Sequence, residues 1–196
     1  MEREQMVDKL RDMLDGERFE HSLGVEKTAV ELARIHGLDE KKAAIAGLLH
    51  DSAKDVQHDP IGFCTQYGIQ DCLPRYQDLP LPVLHAPVAG PLIEKEFDVK
   101  DPEIKEAIAC HTSGKVGMND FDKLVYLADY TEPMRGNDPK TQEVRRLSKI
   151  NMDEALLKAM EYSIEHMRSK GRDIHPSTFD AYNDLAKKLG RAEIHE

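Results

Sequence analysis

Apolar residues recur at three- and four-residue spacing along almost the whole chain, and no run alternates β-branched with polar residues, so the pattern predicts an all-α fold. Met6, Leu10 and Met13 mark a short amphipathic helix over 2–14, and a longer one over 17–36 is closed by Gly37, a residue suited to a left-handed stop. Asp39 is placed to cap the next helix, which ends in LLHD. The pairs Asp59-Pro60, Asp101-Pro102 and Asp138-Pro139 each set a capping carboxylate before a proline that the first helical turn tolerates. Further helices are predicted over 86–97, 102–112, 120–132, 139–148, 152–169 and 177–188. Between 68 and 84 the stretch GIQDCLPRYQDLPLPVL has little periodicity and reads as the longest irregular connection, a rim for a pocket.

A few polar residues interrupt these stripes. His21 shares its face with Val25, Thr28 and Leu32, His50 with Ala43, Ala46 and Gly47, and Asp129 with Val125. Burying an unpartnered polar group costs about 2–7 kcal/mol, so the repeated placement calls for something that satisfies them together, and a metal ion does so. A His-Asp dipeptide alone says little, since about one is expected by chance in a chain of this composition. Context separates the two present. His50-Asp51 ends the apolar run AIAGLLHD, whereas His58-Asp59 lies in polar sequence before Pro60, where capping accounts for the aspartate and the pair faces solvent. The informative set is His21, His50-Asp51, His85, His111 and Asp129, spread over separate predicted elements. Imidazole and carboxylate without thiolate suit iron, manganese, zinc or a similar ion and leave coordination positions open for water and a substrate oxygen.

Composition narrows the picture. The chain is 40% apolar and 33% charged with no tryptophan, as expected of one soluble globular domain that needs no structural metal. No stretch approaches the roughly 20 apolar residues of a membrane helix, and MEREQMVDKL lacks the features of a signal peptide, so a cytoplasmic protein without membrane association is expected. Cys64, Cys72 and Cys110 form no Cys-x-x-Cys pair and read as reduced, structural thiols. A net charge of −10 argues against a nucleic-acid polymer as partner. A small polyphosphate would need a metal and a few placed cations; Lys54, one turn beyond His50, and Arg135, just past Asp129, are the first choices, with Arg18 a weaker one. Arg172 and His175 in GRDIHPST either cover a nucleotide or simply start a helix at Pro176. Tyr126 and Tyr130 flank Asp129, with core packing expected ahead of base stacking.

The order of these residues resembles the HD-domain metal-dependent phosphohydrolase superfamily. The stretches RFEHSLGV (18–25), LLHDSAK (48–54), LHAPVAG (84–90), CHTSGKVGM (110–118), KLVYLADYTEPMR (123–135) and GRDIHPSTFDAYN (171–183) are similar to its YqeK family across almost the whole chain. The resemblance implies a compact multi-helix HD-domain bundle, with 1–196 a single HD-type phosphohydrolase domain flanked by helical segments at 1–14 and 171–196. It also implies symmetrical hydrolysis of diadenosine tetraphosphate, a small-molecule nucleotide substrate, to two ADP. By the same resemblance the cofactor is one or two divalent or trivalent ions, iron first, with manganese, zinc, cobalt or nickel as substitutes. Carried over by position, His21, His50, Asp51 and Asp129 bind metal; Asp51, adjacent to His50, is also placed to take or orient the proton of the attacking water. His85 and His111 match the two further histidines that hold a second ion or contact substrate phosphate in the resemblance, with phosphate contact and a catalytic role the favoured reading. Thr112, Lys54, Arg135, Arg18, Arg172 and His175 complete the expected substrate contacts, and a homodimer is compatible with the reading. Phe121 and Thr131 stand where the family pattern leads one to expect aliphatic residues. The competing readings are hydrolysis of another nucleotide and a metal-dependent nucleotide-sensing module. The Gly-Tyr-Pro signature expected of cyclic-dinucleotide enzymes is absent.

Overall fold

A computed structural model describes residues 1–195. Among them every regular element is helical: α1 Arg3–Met13, α2 Gly16–His36, α3 Glu40–Leu49, α4 Pro60–Gln66, α5 Leu81–Phe97, α6 Pro102–Cys110, α7 Asp120–Thr131, α8 Pro139–Ser148, α9 Met152–Ser169 and α10 Pro176–Lys188. Single 3₁₀ turns lie at Lys54–Gln57, Gln70–Arg75 and Pro133–Arg135. The caps are those the sequence provides. Asp39 accepts from the Lys41 and Lys42 amides, Asp59, Asp101 and Asp138 cap the proline-led helices, and Gly37 ends α2 in the left-handed region at φ 70°. His58 lies on the surface beside that Asp59 cap.

Helices α2, α3, α6 and α7 pack on one another, α5 closes against α6, and α8 and α9 lean on α7. One apolar core runs through all of them and takes in Met6 and Leu10 from α1 and Phe179, Tyr182 and Leu185 from α10. Gly47 governs the α2–α3 approach, since a Cβ there would come within 2.9 Å of the Glu26 Cα. Phe121 and Thr131 are both buried; Thr131 satisfies its hydroxyl by donating to the Leu127 carbonyl.

Two expectations need correction. The stretch 68–84 is not wholly irregular, because it contains the Gln70–Arg75 turn, and α5 begins at Leu81 rather than 86. Prolines are the cause of the misreading: Pro82 sits at the start of the helix, and α5 then continues through Pro87 and Pro91. A proline costs about 3 kcal/mol in a helix interior, but burying one large aliphatic side chain returns about 1.5–3 kcal/mol, and α5 buries Leu84, Val88, Leu92 and Ile93. Smaller differences lie at helix ends, where α6 stops at Cys110 and leaves His111 as its C-cap.

Candidate metal centre

The packed helices aim their polar exceptions at one point. His21 projects from the second turn of α2, His50 is the C-cap of α3 with Asp51 following, His85 lies early in α5, His111 caps α6, and Asp129 sits in the last turn of α7. His21 Nε2 lies 3.0 Å from Asp129 Oδ1, and His50 Nε2 lies 3.7 Å from that oxygen and 3.5 Å from Asp51 Oδ2. On the other side of Asp51, Oδ1 is 3.1 Å from His85 Nε2 and 3.7 Å from His111 Nε2, and those two nitrogens are 3.4 Å apart.

The outer nitrogens fix which way the lone pairs face. His50 Nδ1 donates to the Gly47 carbonyl at 2.8 Å, His85 Nδ1 to the Pro82 carbonyl at 3.0 Å, and His111 Nδ1 to the Ile108 carbonyl at 2.7 Å. A carbonyl only accepts, so each Nδ1 carries the hydrogen and, in the neutral ring, each Nε2 presents a lone pair to the cluster. His21 takes a side-chain partner in place of a backbone carbonyl. Its Nδ1 meets Glu132 Oε1 at 3.0 Å. Glu132 is fully buried, and its other oxygen accepts from the Met134 amide at 2.7 Å.

Lone pairs and carboxylates thus converge with little hydrogen between them. His21 Nε2, His50 Nε2 and Asp51 Oδ1 are buried without a hydrogen-bond partner among the described residues. Bringing acceptors together this way is unfavourable unless a cation lies among them, and the donor set of imidazoles and carboxylates suits a divalent ion. Ligand atoms of His21, His50 and Asp129 all lie within 4.8 Å of one another, as do those of His50, Asp51 and His111.

Cations ring the cluster. Arg18 Nη1 reaches Asp51 Oδ2 at 2.8 Å, and Lys54 Nζ stands 3.4 Å from Asp51 Oδ1 and 3.2 Å from His85 Nε2. Arg135 pairs with the Asp129 carboxylate and donates through Nε to the Asp129 carbonyl at 3.0 Å. Thr112 Oγ1 lies 3.2 Å from His85 Nε2 and 3.1 Å from His111 Nε2. Burial by itself would raise the Asp51 and Asp129 carboxyls, yet the facing imidazoles, joined at Asp129 by Arg135, hold both well below the usual carboxylate range. Burial lowers the Lys54 ammonium and pushes the His85 imidazole down to about 4. His85 is therefore neutral at pH 7 and keeps its Nε2 lone pair.

Two openings reach the cluster. A cleft of about 310 Å³ is lined by His111, Thr112, Asp129, Tyr130 and Arg135, and a smaller one of about 230 Å³ by Arg18, His21, Glu132 and Arg135. Arg172 and His175 are not brought to either. Arg172 is exposed beyond α9, and His175 is the N-cap of α10, its Nδ1 2.7 Å from Ser177 Oγ, which is the helix-start alternative. Tyr126 packs in the core, whereas Tyr130 is half-buried at the cleft. The sequence reading missed Glu132. A carboxylate three residues after Asp129 and directly before a proline looks like a loop residue, and only the fold brings it behind His21. Gly24 is the companion signal, since a Cβ there would fall 2.6 Å from Glu132 Oε2.

The HD domain family matches residues 18–134, the segment that contains every residue of this cluster. A symmetrical bis(5'-nucleosyl)-tetraphosphatase of Bacillus subtilis is 36% identical over 94% of this chain and 98% of its own length. One of the same description from Halalkalibacterium halodurans is 30% identical over 94% of this chain and 97% of its own. A crystal structure from Clostridium acetobutylicum, described as a predicted HD superfamily hydrolase involved in NAD metabolism, superposes with a TM-score of 0.82 at 34% identity and covers 96% of this chain and 98% of that one.

Proposed function

The chain belongs to the HD domain family, and on that premise we propose that it hydrolyses diadenosine tetraphosphate symmetrically, releasing two ADP. The observation that carries the reading is the convergence of His21, His50, Asp51 and Asp129, three of them with buried ligand atoms that lack a hydrogen-bond partner. Those four would hold a divalent ion, and iron is the identity we assign to it. When bound, the ion supplies Lewis-acid polarisation of a phosphoryl oxygen and acidifies water. Asp51 has an oxygen toward each half of the cluster, so His85 and His111 with Asp51 offer a second cation position. His85, neutral with its Nε2 lone pair toward Asp51, favours that role over the phosphate contact expected from the sequence.

The chain's own residues account for the rest. Asp51, held ionised by its surroundings, orients the water's hydrogens rather than storing a proton. Lys54, Arg18 and Arg135 supply positive charge on separate sides of the cluster, where a tetraphosphate must lie to present its central bridge. Thr112 Oγ1 donates into the same space. Positioning and charge neutralisation of this kind carry most of the barrier reduction in phosphoryl transfer. Relatives that span almost the full chain carry the tetraphosphatase description, so neither the sensor module nor another nucleotide hydrolase is retained. We read 1–196 as one HD-type domain with helical flanks at 1–14 and 171–196; Glu196 lies outside the described residues. Among those residues no helix is long and apolar enough to cross a membrane. Chromatography of diadenosine tetraphosphate incubated with metal-loaded protein tests the reading: two ADP per substrate supports it, while ATP plus AMP, or no cleavage, defeats it.

A further inference from the structure

The cleft beside the cluster does not end at the phosphate-facing cations. Thr112, Tyr130, Thr141 and Ser163 line both that cleft and a larger cavity of about 730 Å³ that runs between the α8 start and α9. Metal cluster, cationic throat and cavity therefore form one continuous path, with Arg135 and Thr112 at the cluster end and His166 and Glu165 at the far end. The volume lies within the range of about 300–1,000 Å³ typical of small-molecule sites and exceeds what a phosphate chain alone would fill.

The lining suits a nucleoside. Tyr130 stands at the junction, half-buried, and among the described residues no cation lies over its ring. Tyr162 in the same cavity is different: Lys140 Nζ sits 4.6 Å above its ring and its hydroxyl donates to Glu143 at 2.5 Å, so its face is already covered. Tyr130 is thus the aromatic surface left for stacking, and stacking suits any base because every base has a π-face. Ser163 and Thr112 line both spaces together with Tyr130 and offer hydroxyls to a ribose. At the outer end the Lys140–Glu165 pair, 2.6 Å apart and half-exposed, offers a cation and a carboxylate together. An aminopurine edge has an exocyclic amine to donate and a ring nitrogen to accept, and this pair complements both.

Resting on the tetraphosphate reading above, we infer that this cavity is the nucleoside subsite of the enzyme, taking the purine nucleoside of one half of the substrate with its base on Tyr130. The site therefore recognises more than the phosphate chain. It follows that ADP, which carries both parts, binds more tightly than pyrophosphate, which fills only the cationic throat.

Calorimetric titration of metal-loaded protein with ADP, UDP and pyrophosphate tests this. Tyr130→Leu keeps the bulk and removes the π-face; Ser163→Leu narrows the passage into the cavity; thermal melting checks that both variants fold. The expected result is wild-type binding of ADP about tenfold tighter than of pyrophosphate, with UDP in between, and a fall of ADP to the pyrophosphate level in each folded variant. Pyrophosphate affinity itself should stay within about twofold, and KM for diadenosine tetraphosphate should rise more than kcat falls. Equal binding of ADP and pyrophosphate by the wild type, or unchanged ADP affinity in both variants, would overturn the assignment. The reaction is judged separately by its products. Failure to release ADP from diadenosine tetraphosphate, with the ADP preference intact, would remove the hydrolase reading and leave the subsite standing.

Discussion

Replacing Gly24 by alanine should destabilise this protein, although the substitution sits inside helix α2, where it ordinarily helps. In a helix interior glycine is about 0.8–1.0 kcal/mol worse than alanine, so propensity alone predicts a gain of that size. Here the new Cβ would lie 2.6 Å from Glu132 Oε2, about 1 Å short of an ordinary van der Waals contact. Glu132 cannot swing freely into solvent, because it is buried and held by the Met134 amide at 2.7 Å and by His21 Nδ1 at 3.0 Å. Displacing it strands both of these donors at about 1–3 kcal/mol each, which exceeds the propensity gain and leaves a net loss of about 1–5 kcal/mol. The larger consequence is for the metal. Outer partners that orient a ligating histidine are worth about 10–100-fold in affinity. Chelator competition on Gly24→Ala should therefore show metal binding weakened by at least about tenfold, alongside a lowered melting temperature of the metal-free protein. Glu132→Gln is the companion variant. Its amide has one acceptor oxygen for two donors, so it should weaken the metal in the same way without adding bulk. A Gly24→Ala protein that melts higher, with unchanged metal affinity, would show that Glu132 does not set the orientation of His21.

Three further outcomes follow from the same geometry. Asp51→Asn should lower kcat by about 10²–10³-fold or more while far-UV circular dichroism stays helical, and wild-type turnover would remove Asp51 from the reaction. Lys54 loses its proton, and with it a phosphate-facing charge, as pH rises; because burial lowers its pKa from the ordinary 10.5, the alkaline limb of the wild-type rate profile should fall below that value and move upward in Lys54→Arg. Burial pushes the Cys64 thiol up to about 12 and raises those of Cys72 and Cys110, so almost none is thiolate at pH 8. Folded protein should react slowly with a disulfide reagent, the three thiols appearing together only on unfolding; rapid labelling of the folded chain would contradict the packing.

Helix ends were the most legible part of the chain. Asp39, Asp101, Asp138 and Gly37 carry local chemistry that acts whatever the tertiary fold, and α8 and α9 begin and end where the pattern places them. Helix α5 was less legible, because its prolines speak against a helix locally while burial across the whole bundle outweighs them. At the centre, polar residues on apolar stripes pointed to His21, His50 and Asp129, since a buried charge conflicts with its own neighbours in sequence. Nothing local marks Glu132, which only the fold brings behind α2. The carbonyls that set the lone-pair side of His50, His85 and His111 lie just three residues before each, but the side-chain rotamers that reach them are chosen by packing and are not written in the sequence. Arg172 and His175 show the reverse: their motif carries chemistry-bearing residues, but the helix start at Pro176 accounts for His175, and neither makes a polar contact with the cluster.

Anomalous diffraction from crystals of metal-loaded protein tests the metal-centre assignment most directly. A peak about 2.0–2.3 Å from His21 Nε2, His50 Nε2 and oxygens of Asp51 and Asp129 is the predicted result, with any second peak between Asp51, His85 and His111. Ions found only at surface carboxylates, with the four side chains hydrogen-bonded to one another through protonated imidazoles, would contradict it.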